Sequence, residues 1–276
     1  MSKVTPRPFL KWVGGKGQLL EQLQKRLPKS FNNYHEPFLG GGALFFGMYR
    51  AGKIKQAYLS DLNEELIDAY TVVRDNVDAL LSLLVTYPHD EDFFYELRGR
   101  DPWAMSRVER AARMIYLNKT CYNGLYRVNK KGQFNAPFGR YKNPKFHDPE
   151  NLLPVSAALQ NVSLKTASFT NVLDNAQERD FVYFDPPYAP LSSTSNFTAY
   201  NAAGFSEEAQ GELRDVCLQL AERGVHVMIS NSSTKVIKDL YKGEAFTMRR
   251  GVKARRSINS NATKRGKLSE VIVTTY

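Results

Sequence analysis

Cysteine is almost absent from this sequence, which has only Cys121 and Cys217 in 276 residues. Two cysteines at unrelated positions provide neither a disulfide framework nor a set of zinc ligands. We therefore expect both to be small buried hydrophobic residues in a protein of the reducing cytoplasm.

Long apolar runs are also missing. None approaches the roughly 18 residues that span a bilayer, and the N-terminus lacks the pattern of a signal peptide. Repeats and low-complexity tracts are absent too. Hydrophobic residues make up 42% and charged residues 24%, which is typical of a globular protein with a sizeable core, in one large domain or two modest ones.

Acidic residues are missing from two long stretches, although the net charge of the whole chain is only +10. Residues 119–145 contain seven basic residues and no acid, and residues 249–267 contain eight. Ordinary solvated faces could explain one such run. Two runs interleaved with Tyr, Phe and Asn favour a polyanionic partner.

The most informative stretch is the tetrapeptide Asp185, Pro186, Pro187 and Tyr188, which follows an apolar run at 180–184. That run is typical of a strand buried on both faces, so Asp185 is expected at a strand's carboxyl end, where open α/β sheets bind ligands. The prolines predict a stiff turn. A carboxylate, carbonyls and an aromatic ring suit an exocyclic amine on a base, although a plain strand-to-loop junction has the same local pattern.

A glycine turn between a strand and a helix is predicted at 39–43, after a strand at 33–38. The next strand ends in Asp61, roughly 20 residues after the glycines, where doubly wound folds hold ribose hydroxyls. The alternative is that Asp61 or Asn63 caps the helix that starts at Glu64. Gly14-Gly15-Lys16 lacks the earlier glycine and the Ser/Thr of a phosphate loop, so we exclude an NTPase.

The remaining pattern predicts a sheet split by an insert. Residues 18–27 and 64–117 have helical spacing, and residues 126–135 read as a basic hairpin with its turn at Lys130 and Lys131. Strands return at 162–166, 181–184 and 225–230, and a helix from Glu207 to Arg223 is closed by Gly224. The polar stretch 192–198 is predicted to be a lid beside the site.

Six blocks in this order resemble the Dam-type DNA adenine-N6 methyltransferases, including their restriction-associated members: 9–16, 36–46, 122–127, 134–145, 180–200 and 265–276. The proline turn also occurs in other amino-methylating enzymes. The hairpin blocks Asn123-Gly124-Leu125-Tyr126-Arg127 and Pro137-Phe138-Gly139-Arg140-Tyr141 are much more specific. Residues 249–263 match the family less well than the blocks around them.

The resemblance implies an α/β fold: a Rossmann-like S-adenosylmethionine-dependent methyltransferase sheet with an inserted, mostly helical target-recognition domain that carries a β-hairpin. Residues 1–62 and 157–276 would form the catalytic domain and residues 63–156 the DNA-binding insert. The acceptor would be the adenine of duplex GATC, and S-adenosylmethionine the donor, with no metal.

Site residues are carried over by position in three groups. The catalytic motif matches Asp185, Pro186 and Tyr188. The donor site matches Trp12, Lys16, Phe38, Gly40, Asp61 and Asp185. The DNA side matches Lys11, Tyr122, Asn123, Leu125, Arg127, Pro137 and Arg140, with Lys11 and Arg127 reading bases and Tyr122 intercalating.

Two other functions remain open at this point. A methyltransferase acting on RNA adenosine or a protein glutamine amide would share the fold, although an Asn in place of Asp185 would suit the amide better. A DNA-binding protein without activity would need only the basic face. Neither cysteine lies in a motif for covalent cytosine methylation. We expect a cytoplasmic protein, associated with the nucleoid through double-stranded DNA, that acts as a monomer away from membranes.

Overall fold

The computed structural model of the chain describes residues 5–188, 205–255 and 267–276, with the side chains of 250–255 and 267–269 outside the description. The predicted lid at 192–198 and most of the basic stretch 249–267 lie outside the described residues. The helices are α1 Leu20–Gln24, α2 Ala43–Arg50, α3 Glu64–Asp75, α4 Val77–Leu84, α5 Glu91–Gly99, α6 Arg107–Thr120, α7 Pro149–Leu159, α8 Val172–Asn175, α9 Glu207–Glu222 and α10 Lys235–Leu240. The strands are β1 Tyr34–Glu36, β2 Ala57–Asp61, β3 Val162–Thr166, β4 Phe181–Phe184, β5 His226–Ser232, β6 Thr247–Arg255 and β7 Lys267–Thr274.

The seven strands form one sheet in the order β3-β2-β1-β4-β5-β7-β6. Strands β3, β2, β1, β4 and β5 are parallel, whereas β7 runs antiparallel between β5 and β6. The chain leaves β1 toward β2 and β3 on one side, and later fills the other side with β4 and β5. The direction reverses between β1 and β4, which is where doubly wound folds open a ligand crevice. The predicted Rossmann-like α/β sheet is confirmed.

Strand β4 is short and apolar, and all four of its residues are buried. Such a strand cannot alternate between core and solvent, because helices cover both faces of the parallel sheet. Asp185 follows it directly, as predicted. Helix α9 also matches the prediction, since it ends at Glu222 and is followed by Gly224 with a φ of +75°.

The first helix is shorter than predicted. The pattern indicated a helix over 18–27, but α1 covers only Leu20–Gln24 after a 3-10 turn at Lys16–Gln18. Proline at position 28 disfavours helical backbone at Leu27, so the helix ends before it.

Helices α3 to α7 and the hairpin separate β2 from β3 in sequence, although the two strands pair in parallel. This confirms that a mostly helical insert splits the sheet. Helix α6 begins with a capping box, in which Ser106 and Glu109 bond each other's backbone N–H. The hairpin closes with a bridge between Val128 and Phe134, without longer regular strands.

One hydrophobic core extends from the sheet into the insert. It includes Tyr34 and Phe181 of the sheet together with Phe94 and Tyr116 of the insert, each at most 1% exposed. The division at 63–156 therefore remains a prediction about the sequence, since the packed interior is shared across it. Cys121 and Cys217 are both buried and free, as expected.

Candidate functional site

The carboxyl ends of β1, β2 and β4 bring together three segments that lie far apart in sequence. Residues 37–42 follow β1, Asp61 ends β2, and Asp185 follows β4. Because these strands are parallel neighbours, their carboxyl ends share one edge of the sheet. The grouping predicted from the sequence is therefore present at the point where the strand order reverses.

The glycine turn after β1 is tightly packed. Gly40 has a φ of +46°, and a Cβ at this position would lie 2.6 Å from the Trp12 ring. Gly42, with a φ of +64°, precedes α2. Only glycine accepts both the left-handed backbone and the approach of Trp12. The turn thus forms a cradle with a bare backbone, which a flat ligand can approach closely.

Asp61 fastens this turn to the next strand. Its carboxylate accepts hydrogen bonds from the backbone N–H groups of Gly40 at 3.0 Å and Asn63 at 3.0 Å. Burial raises the pKa of Asp61, and these hydrogen bonds partly oppose that rise. The helix cap is Asn63, whose side chain accepts from Leu66 N at 2.9 Å. Two residues were predicted as possible caps of α3, and the prediction is confirmed for Asn63. It is wrong for Asp61, because the oxygens of Asp61 accept from Gly40 N and Asn63 N instead.

Asp185 forms an ion pair with Lys16, whose Nζ lies 2.7 Å from Asp185 Oδ1. The Lys16 ammonium also donates to the carbonyl of Gly14 at 2.6 Å, and its side chain is only 5% exposed. Burial raises the pKa of Asp185 to about 6, an effect that Lys16 opposes by favouring the charged form. The carboxylate is therefore ionised at neutral pH, but only because a buried cation faces it.

Tyr188 is held beside this pair. Lys16 Nζ lies 4.7 Å from the centroid of the Tyr188 ring, a cation–π distance. The Tyr188 hydroxyl donates to Glu270 Oε2 at 2.6 Å. Gln210 Nε2 donates to the carbonyl of Pro187 at 3.1 Å. The turn is thus anchored through its carboxylate, its backbone and its aromatic ring.

The site suits a cationic ligand with a flat heterocycle, as S-adenosylmethionine is. Burial raises the pKa of Glu36 to about 8, and the nearby charges of Asp185 and Asp61 contribute to that rise. A sulfonium or ammonium group would favour the charged forms of these crowded carboxyls. Phe38 stacks on Phe169 at 5.5 Å and provides an aromatic surface. The residues present therefore fit the donor that the family resemblance implies.

Lys11 and Trp12 reach the site because the insert binds the N-terminal segment. The buried side chain of Asn118 accepts from Lys11 N at 2.8 Å and donates to Lys11 O at 2.8 Å. Lys11 Nζ then lies 4.6 Å from the centre of the Tyr141 ring. Trp12 stacks on Tyr126 at 4.9 Å. One short segment thus contacts both the glycine turn and the recognition hairpin.

Arg127 is fixed within the hairpin. Its Nε donates to Asn135 Oδ1 at 2.7 Å and its Nη2 to Asn135 O at 2.9 Å. These bonds use the Nε–Nη2 edge of the guanidinium and leave Nη1 and the second N–H of Nη2 without a partner among the described residues. A planar group held in this way keeps the fork that pairs bidentately with guanine.

The other predicted DNA-binding residues lie in two segments that flank the hairpin, 122–125 and 137–140, and the first of these forms a bend at 122–124. Tyr122 is 54% exposed, and its backbone N–H donates to the carbonyl of Pro137 at 2.8 Å. Asn123 adopts a left-handed φ of 59°. Pro137 and Arg140 are exposed, as is Asn123, whereas Leu125 is half-buried. An exposed aromatic ring on a rigid bend is suited to insertion between bases.

Sequence reasoning missed several residues of this site, among them Glu270, Gln210 and Asn118. Each acts through a hydrogen bond to a distant segment: Glu270 is 82 residues from Tyr188 in sequence, and Asn118 is 107 residues from Lys11. No local pattern marks such a contact. The final strand shows Glu270 only as one charged residue in an apolar run.

Comparison with known proteins places the chain among relatives of similar length. The family model of the D12 class N6 adenine-specific DNA methyltransferases matches residues 12–258. The chain is 45% identical to "Type II methyltransferase M1.LlaDCHI" of Lactococcus lactis subsp. cremoris, over 100% of this chain and 97% of the relative. It is 42% identical to "Type II methyltransferase M.MjaIII" of Methanocaldococcus jannaschii, with 94% and 95% covered. It is 37% identical to "DNA adenine methylase" of Escherichia coli K12, with 96% and 94% covered.

The described residues contain no cluster of three or more potential metal-ligating side chains. None of their helices is both long and apolar enough to cross a bilayer.

The Lys16–Asp185 pair generates a prediction about titration. Replacing Lys16 with Met removes the cation but keeps most of the volume, so the pKa of Asp185 should rise above its value of about 6. The carboxyl would then be largely protonated at neutral pH. Carboxyl ¹³C NMR titration measures this directly, with the signal assigned by Asp185→Asn.

Lys29→Met is the matched control, because Lys29 is exposed. It should leave the Asp185 midpoint unchanged. An unaltered midpoint in Lys16→Met would mean that the ion pair does not set the ionisation of Asp185.

Proposed function

The chain belongs to the D12 class N6 adenine-specific DNA methyltransferases, and we propose that it methylates the N6 atom of adenine in double-stranded GATC after that base leaves the helix. The observation that carries the proposal is the anchored turn from Asp185 to Tyr188 at the reversal of strand order. The family membership disfavours RNA, protein and purely structural alternatives. The resemblance to Dam-type enzymes supports GATC as the sequence.

The chemistry asks for hydrogen-bond acceptors in a fixed position. The lone pair of adenine N6 is conjugated with the ring, so the amine is a poor nucleophile while it is flat. Asp185 and the Pro186 carbonyl would accept the N6–H bonds and favour the tetrahedral amine. Gln210 bonds the carbonyl of Pro187, not that of Pro186. S-adenosylmethionine supplies the electrophilic methyl group on a sulfonium.

Two tyrosines support extrusion of the base. N6 is inaccessible inside the stacked duplex, so the target adenine must rotate outward. Tyr188 would stack on the extruded base beside Asp185, on the face away from Lys16. Tyr122, exposed at the bend near the hairpin, would fill the gap in the duplex. Stacking on an aromatic ring contributes about 1–3 kcal/mol per base.

Recognition and affinity would come from different residues. Arg127 presents its remaining guanidinium donors to guanine, and the side chain of Lys11, on the segment fixed by Asn118, lies against Gly124. Exposed cations such as Lys130 and Lys142 would neutralise phosphates and add affinity without sequence information.

The deciding experiment follows tritiated methyl groups from S-adenosylmethionine into a duplex containing GATC, into each single-base variant of it and into RNA of the same sequence. We expect transfer to the GATC duplex, with Asp185→Ala reduced by well over tenfold. The exposed Asp215→Ala serves as the matched control. Because the pKa of Asp185 is about 6 and the ionised form is the acceptor, kcat/KM should fall as pH decreases through 6. Equal transfer to all duplexes would refute GATC, and an active Asp185→Ala would remove Asp185 from catalysis.

Asp61 provides a test of the donor site. Its carboxylate can take ribose hydroxyls in charge-assisted bonds while it holds Gly40. Asp61→Ala should weaken S-adenosylmethionine binding about tenfold or more, since ~1.4 kcal/mol is a factor of ten. Calorimetric titration of the donor gives the Kd.

The matched control is Asp90→Ala, because Asp90 caps α5 at its N-terminus, where its side chain accepts from Phe93 N. It should lower stability by about 1 kcal/mol and leave the donor Kd unchanged. A normal donor Kd in Asp61→Ala would contradict a ribose-binding role.

Arg127 provides a test of base reading. A bidentate contact with guanine discriminates by roughly 1–3 kcal/mol, so Arg127→Ala should slow methylation of GATC while changing sites altered at the contacted guanine much less. The ratio of kcat/KM for GATC to kcat/KM for the altered sites would therefore decrease. Lys130→Ala, at the exposed hairpin turn, should reduce the salt dependence of binding and preserve the preference.

The measurement is kcat/KM on GATC and its single-base variants for both proteins. If Arg127→Ala lowers every substrate by one common factor, Arg127 contacts only phosphate. Base reading would then fall to Lys11 or another residue.

A further inference from the structure

Glu270 is a buried carboxylate in the last strand of the sheet. It lies on β7, opposite Ser232 of β5 and Val252 of β6, and is 7% exposed. Charged residues are rarely buried in the middle of a strand unless a partner compensates their loss of hydration. Its polar contact is with the Tyr188 hydroxyl, at 2.6 Å.

Among the lysine and arginine side chains that the structure describes, which exclude those of residues 250–267, none pairs with Glu270. The cation near this region, Lys16, pairs with Asp185 instead. The charge of Glu270 even disfavours ionisation of Asp185, since it contributes to the raised pKa of that carboxyl. A carboxylate that benefits neither the sheet nor Asp185 calls for another role, and the side-chain bond that it makes within the described part of the chain is to Tyr188.

The Tyr188 ring has few other restraints. Gln210 fixes the backbone of the turn at Pro187, and Asn231 in turn donates to Gln210 at 3.0 Å. These bonds do not define how the Tyr188 side chain is oriented. Lys16 lies over the ring at 4.7 Å, in a contact that tolerates sliding. A short, charge-assisted bond at the far end of the ring is directional, so it fixes the plane of the ring.

We infer that Glu270 is a positioning residue for the target base: it holds the Tyr188 hydroxyl and so keeps the ring in the plane on which the extruded adenine stacks. This inference rests on the proposed function. Glu270 itself contacts neither base nor donor in this scheme. Its loss should therefore affect capture of the base and leave donor affinity unchanged.

The test uses the 276-residue chain and two GATC duplexes: one with adenine at the target position, for kcat/KM, and one with 2-aminopurine there, for fluorescence. Fluorescence of this analogue rises when the base leaves the stack, and stacking on a tyrosine quenches it. We compare the wild type with Glu270→Ala, Glu270→Gln and Tyr188→Phe. Exposed Glu212→Gln on α9 is the matched control for charge.

Glu270→Ala and Tyr188→Phe should each lower kcat/KM about tenfold. Both should also raise the fluorescence of the bound analogue above its level with the wild type, because stacking on the ring of Tyr188 would no longer quench it as strongly. Glu270→Gln keeps an oxygen acceptor, so it should retain activity within about threefold of wild type. The Kd for S-adenosylmethionine should be unchanged in these three variants and in the control Glu212→Gln. If Glu270 only stabilised the fold, its variants would lower the melting temperature. They would then show neither the fluorescence change of the bound analogue nor the retained activity of Glu270→Gln.

A double-mutant cycle isolates the bond. Tyr188→Phe combined with Glu270→Ala should be no slower than the slower single variant, because both changes remove the same contact. Additive losses, about a hundredfold together, would overturn the inference. So would normal fluorescence and kcat/KM in Tyr188→Phe, a result that stands even if Glu270→Ala does not fold.

Failure of the proposed function is distinguishable from failure of this inference. If the wild type transfers no methyl group to the adenine-containing GATC duplex, the proposed function fails first. If the wild type responds and the Tyr188 and Glu270 variants respond equally, only the positioning role is wrong.

Discussion

The arrangement of the site depends on one buried ion pair. A carboxylate at the carboxyl end of a strand such as β4 loses most of its hydration, and removing one partner of a buried pair is strongly destabilising. Asp185 therefore needs the ammonium of Lys16, which arrives on the N-terminal segment from outside the sheet. That segment stays in place because Asn118 of the insert bonds both backbone groups of Lys11.

The same segment joins the donor side to the recognition side. Trp12 lies against the backbone of Gly40 and stacks on Tyr126, which directly precedes Arg127 of the hairpin. The hydrophobic core is likewise continuous between sheet and insert. Packed interiors transmit small displacements. The glycine turn is therefore connected to the hairpin through two aromatic rings.

The crevice at the edge of the sheet and the surface around the hairpin carry charges of opposite sign. Carboxyl groups crowd the crevice, where burial raises the pKa of Asp61 and that of Glu36, while cations crowd the surface near the hairpin. Burial, aided by repulsion from Lys11, lowers the pKa of Lys119 to about 8. Under the proposed function, a cationic donor would relieve the first repulsion and a polyanionic duplex would relieve the second. Each ligand would thus compensate a cluster of like charges in the folded chain.

Some features of this protein follow from the local chemistry of its residues and could be predicted from the sequence. An apolar run followed by two prolines requires a buried strand and a stiff turn, and glycines at 40–42 allow a left-handed turn, so both were predictable at Asp185 and Gly40. Tertiary structure alone decided which distant groups meet them. Whether Asp61 or Asn63 capped the helix depended on where Gly40 lay, and the contact of Tyr188 with Glu270 arises because β7 inserts antiparallel beside β5. Hydrogen bonds and ion pairs depend on distance in space, which strand order sets and sequence spacing does not encode.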